Sequence, residues 1–292
     1  MLFVTLAWGL CFLAIRWGLR DATPLWFAAS RALLAGAILL IWALITGRPM
    51  LRGRRAWLLV SVLGLANVSV AFAAMFAGTA ATATGVAAVV ANSQALLVPL
   101  PALWLYRERL PAAGWPGLAL GFAGLFLLAA PGGGQASGVL LSLLSAAAIT
   151  TGTLLSRQLD GLDLVAASGW HLLVGAVPLV VVASAVEGAP RIVWSLRFTG
   201  SLLFLAVVGT ALAFLVWFGE SRRAPLAALA SWTLLVPVFA VAAGVLVLGE
   251  RPTARTGLGI ALVAGALAAL TLPARANSPR AGQSRGPSPD LP

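Results

Sequence analysis

Long apolar runs, separated by short segments that hold most of the charged residues, set the pattern of this chain. A helix needs roughly 20 apolar residues to cross the hydrocarbon core of a bilayer, so charges mark where a crossing cannot lie. The runs are continuous and do not alternate between apolar and polar residues, which favours helices over a membrane barrel. We therefore predict an all-α membrane protein with ten transmembrane spans. They are expected within residues 2–19, 24–46, 56–106 (two spans), 110–156 (two spans), 164–186, 198–219, 224–249 and 256–274.

The composition agrees with a chain whose solvent is lipid. Of the 292 residues, 61% are hydrophobic and only 9% are charged, far from the balance of soluble domains. A net charge of +11 on a soluble protein would suggest nucleic acid as its partner, but here the arginines flank the apolar runs and act as topology signals. With both termini in the cytoplasm, the segments on that side carry most of the arginines. We predict an inner-membrane protein with both ends cytoplasmic and no nucleic-acid partner.

The two ends of the chain carry different signals. The first apolar run starts at Leu2 with no basic segment before it, so we expect it to be retained as a span and not cleaved as a signal peptide. Residues 274–292 are rich in Pro, Ser, Gly and Arg. That composition predicts a disordered cytoplasmic tail.

The chain matches itself at an offset of about 140 residues. The matches keep one register along four stretches, and each half holds five spans. We predict two repeats, at residues 1–136 and 137–273. Because five is odd, the second repeat enters the membrane from the opposite side, an arrangement typical of transporters. The paired residues are Glu108-Arg109 with Glu250-Arg251, Phe72 with Phe214, Phe76 with Phe218, Gly124 with Gly265, and Arg31 with His171.

Several short motifs resemble the EamA-type family of the drug/metabolite transporter (DMT) superfamily. They are Trp8-Gly9, Arg31, the Glu108-Arg109 and Glu250-Arg251 corners, and the glycine-bearing spans five and ten. The resemblance covers residues 1–273. It implies a secondary transporter, an exporter or exchanger of amino acids or related small metabolites or drugs, with a central cavity lined by spans one to four and six to nine.

The chain departs from the family pattern in one place. The family has a proline about thirteen residues before the glutamate of the first corner, and this position is Ala95 here. The second half keeps the pattern with Pro237. The resemblance therefore does not carry over the bend of span four.

Three ionisable side chains lie well within the predicted spans. Charges in a bilayer are costly and tend to be functional. Arg16 is one turn from Arg20, so its guanidinium can snorkel to the outer surface. Arg31 can also snorkel, it can face the cavity and offer its fork of donors to a carboxylate or phosphate, or it can pack between helices. His171 can bridge helices or exchange protons near neutral pH.

Uncharged polar and aromatic residues complete the candidate substrate site. Asn92, Ser93 and Gln94 are consecutive in span four, and such residues need partners across helices or in water. We therefore predict a wet cavity. The further candidates are Asn67 in span three, Thr233 in span nine, and the three tryptophans deepest in the spans, Trp8, Trp217 and Trp232.

The remaining function classes are weaker. The chain holds no His-Glu-x-x-His motif, and its Gly-x-Ser-x-Gly match at residues 282–286 lies in the predicted tail and not between a strand and a helix, so we expect no enzyme and no catalytic residues. One cysteine and one histidine cannot build a metal cluster, and we expect no cofactor. A membrane-embedded enzyme or a channel stays the alternative. The expected partners are a small polar metabolite or drug and the lipid bilayer. The small-residue faces Gly117/Gly121 and Gly257/Ala261/Gly265 indicate close helix packing, and a contact with a second copy of the chain is the alternative use of these faces.

Overall fold

The computed structural model describes residues 1–97, 101, 114–129, 136–156, 158–159, 161–221, 232–233 and 235–276. Within these residues the helices follow the order of the predicted spans, and we number the spans accordingly. Span 1 is Leu2–Gly18, span 2 is Pro24–Ile45, span 3 is Arg54–Ala81, and span 4 is Thr84–Ala91 followed by Gln94–Leu97. Span 5 is Gly114–Ala129, span 6 is Ala136–Ser156 and span 7 is Leu164–Glu187. Span 8 is formed by consecutive helical segments from Leu196 to Ser221, span 9 is Leu235–Leu248 and span 10 is Ala254–Ala276.

Five of the described helices are both long and apolar enough to cross a membrane, namely those of spans 2, 3, 6, 7 and 8. The apolar helices of spans 1, 5 and 9 are shorter within the described residues, and in span 10 the apolar helix is counted over Ala254–Ala266. The predicted all-α membrane fold of ten transmembrane helices is confirmed. Span 10 continues to Ala276, and the rest of the predicted tail, 277–292, lies outside the described residues.

The ten spans pack as two inverted halves. Span 2 packs against span 7, span 4 against span 9 and span 5 against span 10, so each of these spans meets its own counterpart. Two further contacts of each half are matched in the other half. Span 1 on span 9 is matched by span 6 on span 4, and span 8 on span 2 is matched by span 3 on span 7. The two-fold relation of the repeats is therefore present in the packing, while the exact boundaries at residues 136 and 137 stay a prediction.

Glycines allow the closest helix crossings. A Cβ on Gly9 of span 1 would lie 2.9 Å from the Val236 carbonyl oxygen of span 9, which gives the Trp8-Gly9 motif a packing role. At the crossing of spans 3 and 7, a Cβ on Gly64 would lie 2.5 Å from the His171 carbonyl oxygen, and one on Gly175 would lie 2.3 Å from the Gly64 carbonyl oxygen. Side chains at these positions would collide with backbone, so the helices approach closely only because no Cβ is present.

The small-residue faces of spans 5 and 10 have different surroundings. A Cβ on Gly121 would lie 3.1 Å from the Cβ of Ala266, so the face of span 5 packs on span 10 within one chain. The face of span 10 is exposed at the three positions of the sequence motif, Gly257, Ala261 and Gly265. A homodimer contact at that face stays a prediction.

Spans 3 and 8 each contain a π-helical segment near the middle of the helix. The segments are Leu65–Val70 and Phe204–Leu212, and they occupy related places in the two repeats. A π-helical turn closes its hydrogen bonds over five residues and often marks a functional site. Segment Leu65–Val70 packs against span 7, and segment Phe204–Leu212 packs against span 2. The hydropathy pattern did not predict either segment.

Span 4 is broken without a proline. Its first helix ends at Ala91 and the next begins at Gln94. In between, the Ser93 amide donates to the Val90 carbonyl at 3.1 Å, and the Ser93 carbonyl accepts from Leu96 at 2.8 Å. The break therefore lies just before Ala95, where the family pattern would have a proline.

One end of the bundle, here called the Asp21 end, carries the loops 19–23, 82–83, 188–195 and 249–253. Asp21 accepts two hydrogen bonds from Arg197, at 2.8 and 2.7 Å, and one from the Ser195 hydroxyl at 2.8 Å. The hydrogen bonds from Arg197 and Ser195 hold the pKa of the Asp21 carboxyl below its usual value. Ala22 and Ile192 form an antiparallel bridge beside this pair, so the loop of the first half is tied to the second half.

Two glutamates of the second half cap helices of the first half at the same end. Glu187 accepts hydrogen bonds from the Leu25 amide at 2.9 Å and the Trp26 amide at 3.2 Å, at the start of span 2. Glu250 accepts from the Thr84 amide at 2.7 Å and the Gly85 amide at 3.2 Å, at the start of span 4. A carboxylate at a helix N-terminus satisfies free amides and complements the helix dipole.

Arg16 also acts at the Asp21 end. The sequence allowed its side chain to snorkel outward, and it does point toward this end of the bundle. Its guanidinium, however, is half-buried and donates to the Thr84 hydroxyl at 3.3 Å and to the carbonyls of Ala80 and Thr82. Arg16 therefore holds the connection between spans 3 and 4.

Candidate functional site

The Arg31 guanidinium lies inside the helix bundle and does not reach a membrane surface. The residue is only 5% exposed. Its Nε donates a hydrogen bond to the Thr210 hydroxyl at 3.1 Å, and its Cζ lies 4.6 Å from the ring centre of Phe72 and 5.9 Å from that of Phe76. The cation and the ring face attract each other, by about 2 kcal/mol when desolvated. Among the described residues, none accepts a hydrogen bond from Nη1, which is fully buried.

Four spans meet around this guanidinium. Span 2 carries Arg31, span 3 carries the two phenylalanines and span 8 carries Thr210. Span 1 contributes Cys11, because a Cβ built on Gly209 would lie 2.4 Å from the Cys11 sulfur and 3.9 Å from Arg31 Nη2. No ion pair of Arg31 is found in the described part of the chain. The arginine thus keeps donor capacity for an anion.

His171 occupies the matching position in span 7, also 5% exposed. Its Nδ1 lies 3.3 Å from the Ala167 carbonyl oxygen one turn back on the same helix. Its ring stacks on Phe214 of span 8, with ring centres 6.2 Å apart and planes 13° apart. The pairs Arg31–Phe72 and His171–Phe214 lie at related positions of the two repeats, with offsets of 140 and 142 residues, so the repeat detected in the sequence is also present in side-chain contacts.

The tryptophan candidates separate into two groups. Trp8 of span 1 and Trp217 of span 8 are half-buried, and their ring centres are 5.3 Å apart. They lie on two of the spans that surround Arg31. Trp232, in contrast, is 37% exposed on the segment before span 9, and its neighbour Thr233 is half-buried. The structure brings Trp8 and Trp217 together, and among the described residues it gives no such ring contact for Trp232.

The polar candidates of spans 3 and 4 lie on the spans that pack against span 6. Asn67 sits in the π-helical segment Leu65–Val70, and a Cβ on Gly152 of span 6 would overlap its amide group. Asn92 donates to the Ala88 carbonyl at 2.8 Å and Ser93 donates to the Val90 carbonyl at 2.6 Å, both within span 4. These two amide and hydroxyl donors therefore stabilise the local break in the helix.

Two buried oxygen atoms in this region have no partner among the described residues, Asn67 Oδ1 and Gln94 Oε1. Buried polar atoms of this kind normally bind water or ligand. The candidates therefore lie on different sets of spans, Arg31, Trp8 and Trp217 on spans 1, 2 and 8, and Asn67 and Gln94 on spans 3 and 4. A single wet cavity that joins them stays a prediction.

Sequence reasoning missed Cys11, Phe72, Phe76 and Thr210 as neighbours of Arg31. The two phenylalanines had a signal, because they are part of the internal repeat. Thr210 had none, since its contact depends on the π-helical register of span 8.

The fold, with its inverted halves and a buried, incompletely paired arginine, is that of a multi-pass membrane protein of the transporter class. The chain belongs to the EamA-like transporter family, which it matches over residues 1–130 and 136–272. It is therefore a membrane transporter, and the family and its relatives point away from an enzyme.

Similar proteins agree with this assignment. An uncharacterised transporter of Synechocystis is 30% identical over 277 residues, which cover 87% of this chain and 83% of the relative. A probable amino-acid metabolite efflux pump of Salmonella typhimurium is 28% identical over 91% of each chain. A solved crystal structure shares the fold with a TM-score of 0.67, at 22% identity over 94% of this chain and 96% of the other.

Proposed function

We propose that the protein is a secondary transporter that exports or exchanges amino acids or related small metabolites or drugs by alternating access. We further propose that Arg31 binds an anionic group of the substrate. The observation that carries this proposal is the buried Arg31 guanidinium, whose Nη1 has no partner among the described residues. A buried cation without an anion is costly, and a carboxylate or phosphate of the substrate would supply the missing charge.

The names of two relatives support export as the direction of transport. The efflux pumps of Salmonella typhimurium and Escherichia coli, both named as probable amino-acid metabolite efflux pumps, match this chain along 91% and 90% of its length. An amino acid or one of its metabolites carries the carboxylate that the Arg31 fork recognises in a bidentate manner. Trp8 and Trp217 lie on spans 1 and 8, two of the spans around Arg31, and would contact the apolar part of such a substrate.

Alternating access is supported by the two inverted halves. Matched helices lie on opposite sides of the two-fold relation, so a rocking motion can expose the same site first to one face of the membrane and then to the other. In this proposal Asn67, Asn92, Ser93 and Gln94 form a second polar surface near span 6. His171 contributes packing through Phe214, and Trp232 and Thr233 are the least supported candidates.

The test is counterflow in proteoliposomes that contain the purified protein. L-leucine, which has a carboxylate, is compared with L-leucinamide, in which the carboxylate is replaced by a neutral amide. We expect exchange of the first and weak exchange of the second, and Arg31→Lys should weaken leucine exchange because the bidentate fork is lost. A panel of other amino acids and dipeptides follows the same pairing. Equal exchange of each acid and its amide, with full activity of Arg31→Ala, would refute an anion site at Arg31.

The orientation in the membrane is part of the proposal. With both termini in the cytoplasm of a bacterial inner membrane, a reporter fused after Gly47 should report cytoplasm and one fused after Gly134 should report periplasm. This topology would be contradicted if both fusions reported the same side of the membrane, or if the fusion after Gly47 reported periplasm and the one after Gly134 reported cytoplasm.

A further inference from the structure

Thr210 connects the Arg31 guanidinium to the π-helical segment of span 8. Its hydroxyl accepts the hydrogen bond from Arg31 Nε at 3.1 Å and donates to the Leu205 carbonyl, five residues back, at 2.8 Å. Thr210 is fully buried. Its one hydroxyl proton is therefore committed to Leu205, which leaves the oxygen lone pairs to accept from Arg31.

This contact decides which part of the guanidinium is available. A carboxylate can bind an arginine through Nε and one Nη, or through both Nη atoms. Thr210 occupies Nε, and the Phe72 ring lies against the guanidinium face at 4.6 Å. The edge formed by Nη1 and Nη2 is thus the one that Thr210 leaves open. Nη1 is buried without a partner among the described residues, and Cys11 of span 1 makes a hydrogen bond with the guanidinium.

We propose that Thr210 is a positioning residue of the anion site, which holds Arg31 so that its Nη1/Nη2 edge binds the carboxylate or phosphate of the substrate. This inference rests on the proposed function, because it assumes that Arg31 binds an anion. It adds the residue that orients Arg31 and the edge that the substrate meets.

The same contact ties the site to the shape of span 8. The hydroxyl reaches the Leu205 carbonyl because the π-helical turn brings residue 210 over residue 205. Conversion of this turn to α-helix would rotate the following residues by about 100° around the helix axis and would carry Thr210 away from Arg31. The geometry therefore couples the orientation of Arg31 to the π-helical state of span 8.

Cys11 provides a reporter for this site, because it is the single cysteine of the chain and lies beside Arg31. The wild-type protein in liposomes is treated with an anionic and with a cationic methanethiosulfonate reagent, and the rate of each is divided by its rate with a free thiol. We expect Cys11 to favour the anionic reagent at least about fivefold, since a positive charge lies a few ångströms away. Arg31→Gln should bring the ratio to about one.

The variants of Thr210 test the positioning role. Thr210→Val removes the hydroxyl and should lower the preference for the anionic reagent at least about threefold, because the guanidinium is no longer held at Nε. Thr210→Ser keeps the hydroxyl and should retain the wild-type preference. Thr210→Ala removes the hydroxyl without added bulk and replaces the valine variant if that variant does not fold. The matched control is Thr79→Val, since Thr79 is equally buried but donates to Met75 on its own helix.

The outcomes separate the two proposals. An anionic preference that Arg31→Gln abolishes, but that the Thr210 variants leave at the wild-type value, overturns the role of Thr210 and leaves the anion site intact. A preference that persists in Arg31→Gln, or a Cys11 that neither reagent reaches in any sample, overturns the anion site itself. A loss of preference in Thr79→Val equal to that in Thr210→Val also overturns the positioning role, because any lost hydroxyl would then have the same effect.

Discussion

The surroundings of Arg31 and of His171 differ although the two residues occupy matching positions in the two halves. Each is 5% exposed and each lies against a phenylalanine of the next span. Arg31 also donates a hydrogen bond to a hydroxyl of the other half, that of Thr210. The Nδ1 of His171, in contrast, contacts the Ala167 carbonyl of its own helix. In the register that pairs Phe72 with Phe214, the counterpart of Thr210 is Val68, which is apolar and fully buried.

The helix crossings beside these residues differ in the same sense. Spans 3 and 7, on the His171 side, touch through Gly64 and Gly175. The corresponding positions on the Arg31 side are Ala206 and Ala35, both fully buried. Two glycines permit a closer approach than two alanines. The duplication therefore keeps the helix arrangement, while one half leaves space for a guanidinium and the other is packed tightly.

The largest expected effect concerns the two central side chains. Arg31→Gln should reduce leucine counterflow by about 100-fold, the order expected for lost charge-assisted hydrogen bonds. His171→Gln, the matched change in the other half, should leave counterflow within about threefold of wild type, since its ring packs but is not proposed to bind substrate. Both variants are compared at equal amounts of folded protein. Losses of similar size would show that both halves bind substrate.

A smaller effect is expected at the crossings. Gly64→Ala should lower the free energy of unfolding in detergent by about 1–3 kcal/mol and so lower the melting temperature, because the new Cβ meets backbone atoms that cannot move aside. Ala206→Gly, at the related position, should cost only about 1 kcal/mol, the difference in helix propensity. The melting temperatures of both variants, followed by size-exclusion chromatography, show which change destabilises the protein more. Equal melting temperatures for Gly64→Ala and wild type would mean that the crossing is not as close as described.

The smallest effect is expected at the Asp21 end, which ties span 8 to the first half. The pKa of Asp21 is lowered by hydrogen bonds from Arg197 and Ser195. Its folded-state pKa is then below the unfolded value of about 3.9, so the contribution is complete above that value and is lost as the pH falls through the folded-state pKa. In Asp21→Asn the melting temperature should therefore fall less than in wild type when the pH is lowered into the acid range.

Arg197→Gln removes the main partner of Asp21 and should flatten the acid limb in the same way. The pair at the opposite end, Arg48 and Asp163 at 3.0 Å, serves as the comparison, because it joins the loop after span 2 to the start of span 7. Melting curves of wild type, Asp21→Asn and Arg197→Gln between neutral pH and pH about 3 measure the effect. An acid limb that is as steep in both variants as in wild type would rule out this linkage.

The sequence predicted the number and order of the spans because long apolar runs have few alternatives in a bilayer. It also predicted the pairing of Arg31 with His171, since the duplication preserved the register of the neighbouring phenylalanines. The π-helical segments were not predictable in this way, because hydropathy is the same whether a hydrogen bond spans four residues or five. Thr210 became part of the site only through that register.

The side of a helix on which a residue lies was the second property that the sequence did not predict. Trp232 lies further inside its predicted span than Trp217, yet it is exposed, since depth along a helix does not fix the side on which a residue lies. The break in span 4 had a local sequence signal even though the proline of the family pattern is absent. Asn92 and Ser93 can bond their own helix carbonyls, and residues of this kind compete with regular helix.

The helix caps at the Asp21 end make each half a partner of the other. Glu187 and Glu250 belong to the second half but complete the first turns of spans 2 and 4, and Asp21 of the first half holds Arg197 of the second. These contacts are made across the two halves and do not require one continuous backbone. The protein can thus be regarded as a heterodimer whose two subunits are fused. If residues 1–130 and 136–292 were encoded by two separate genes, each polypeptide would supply the side chains that cap or pair with the other at the Asp21 end.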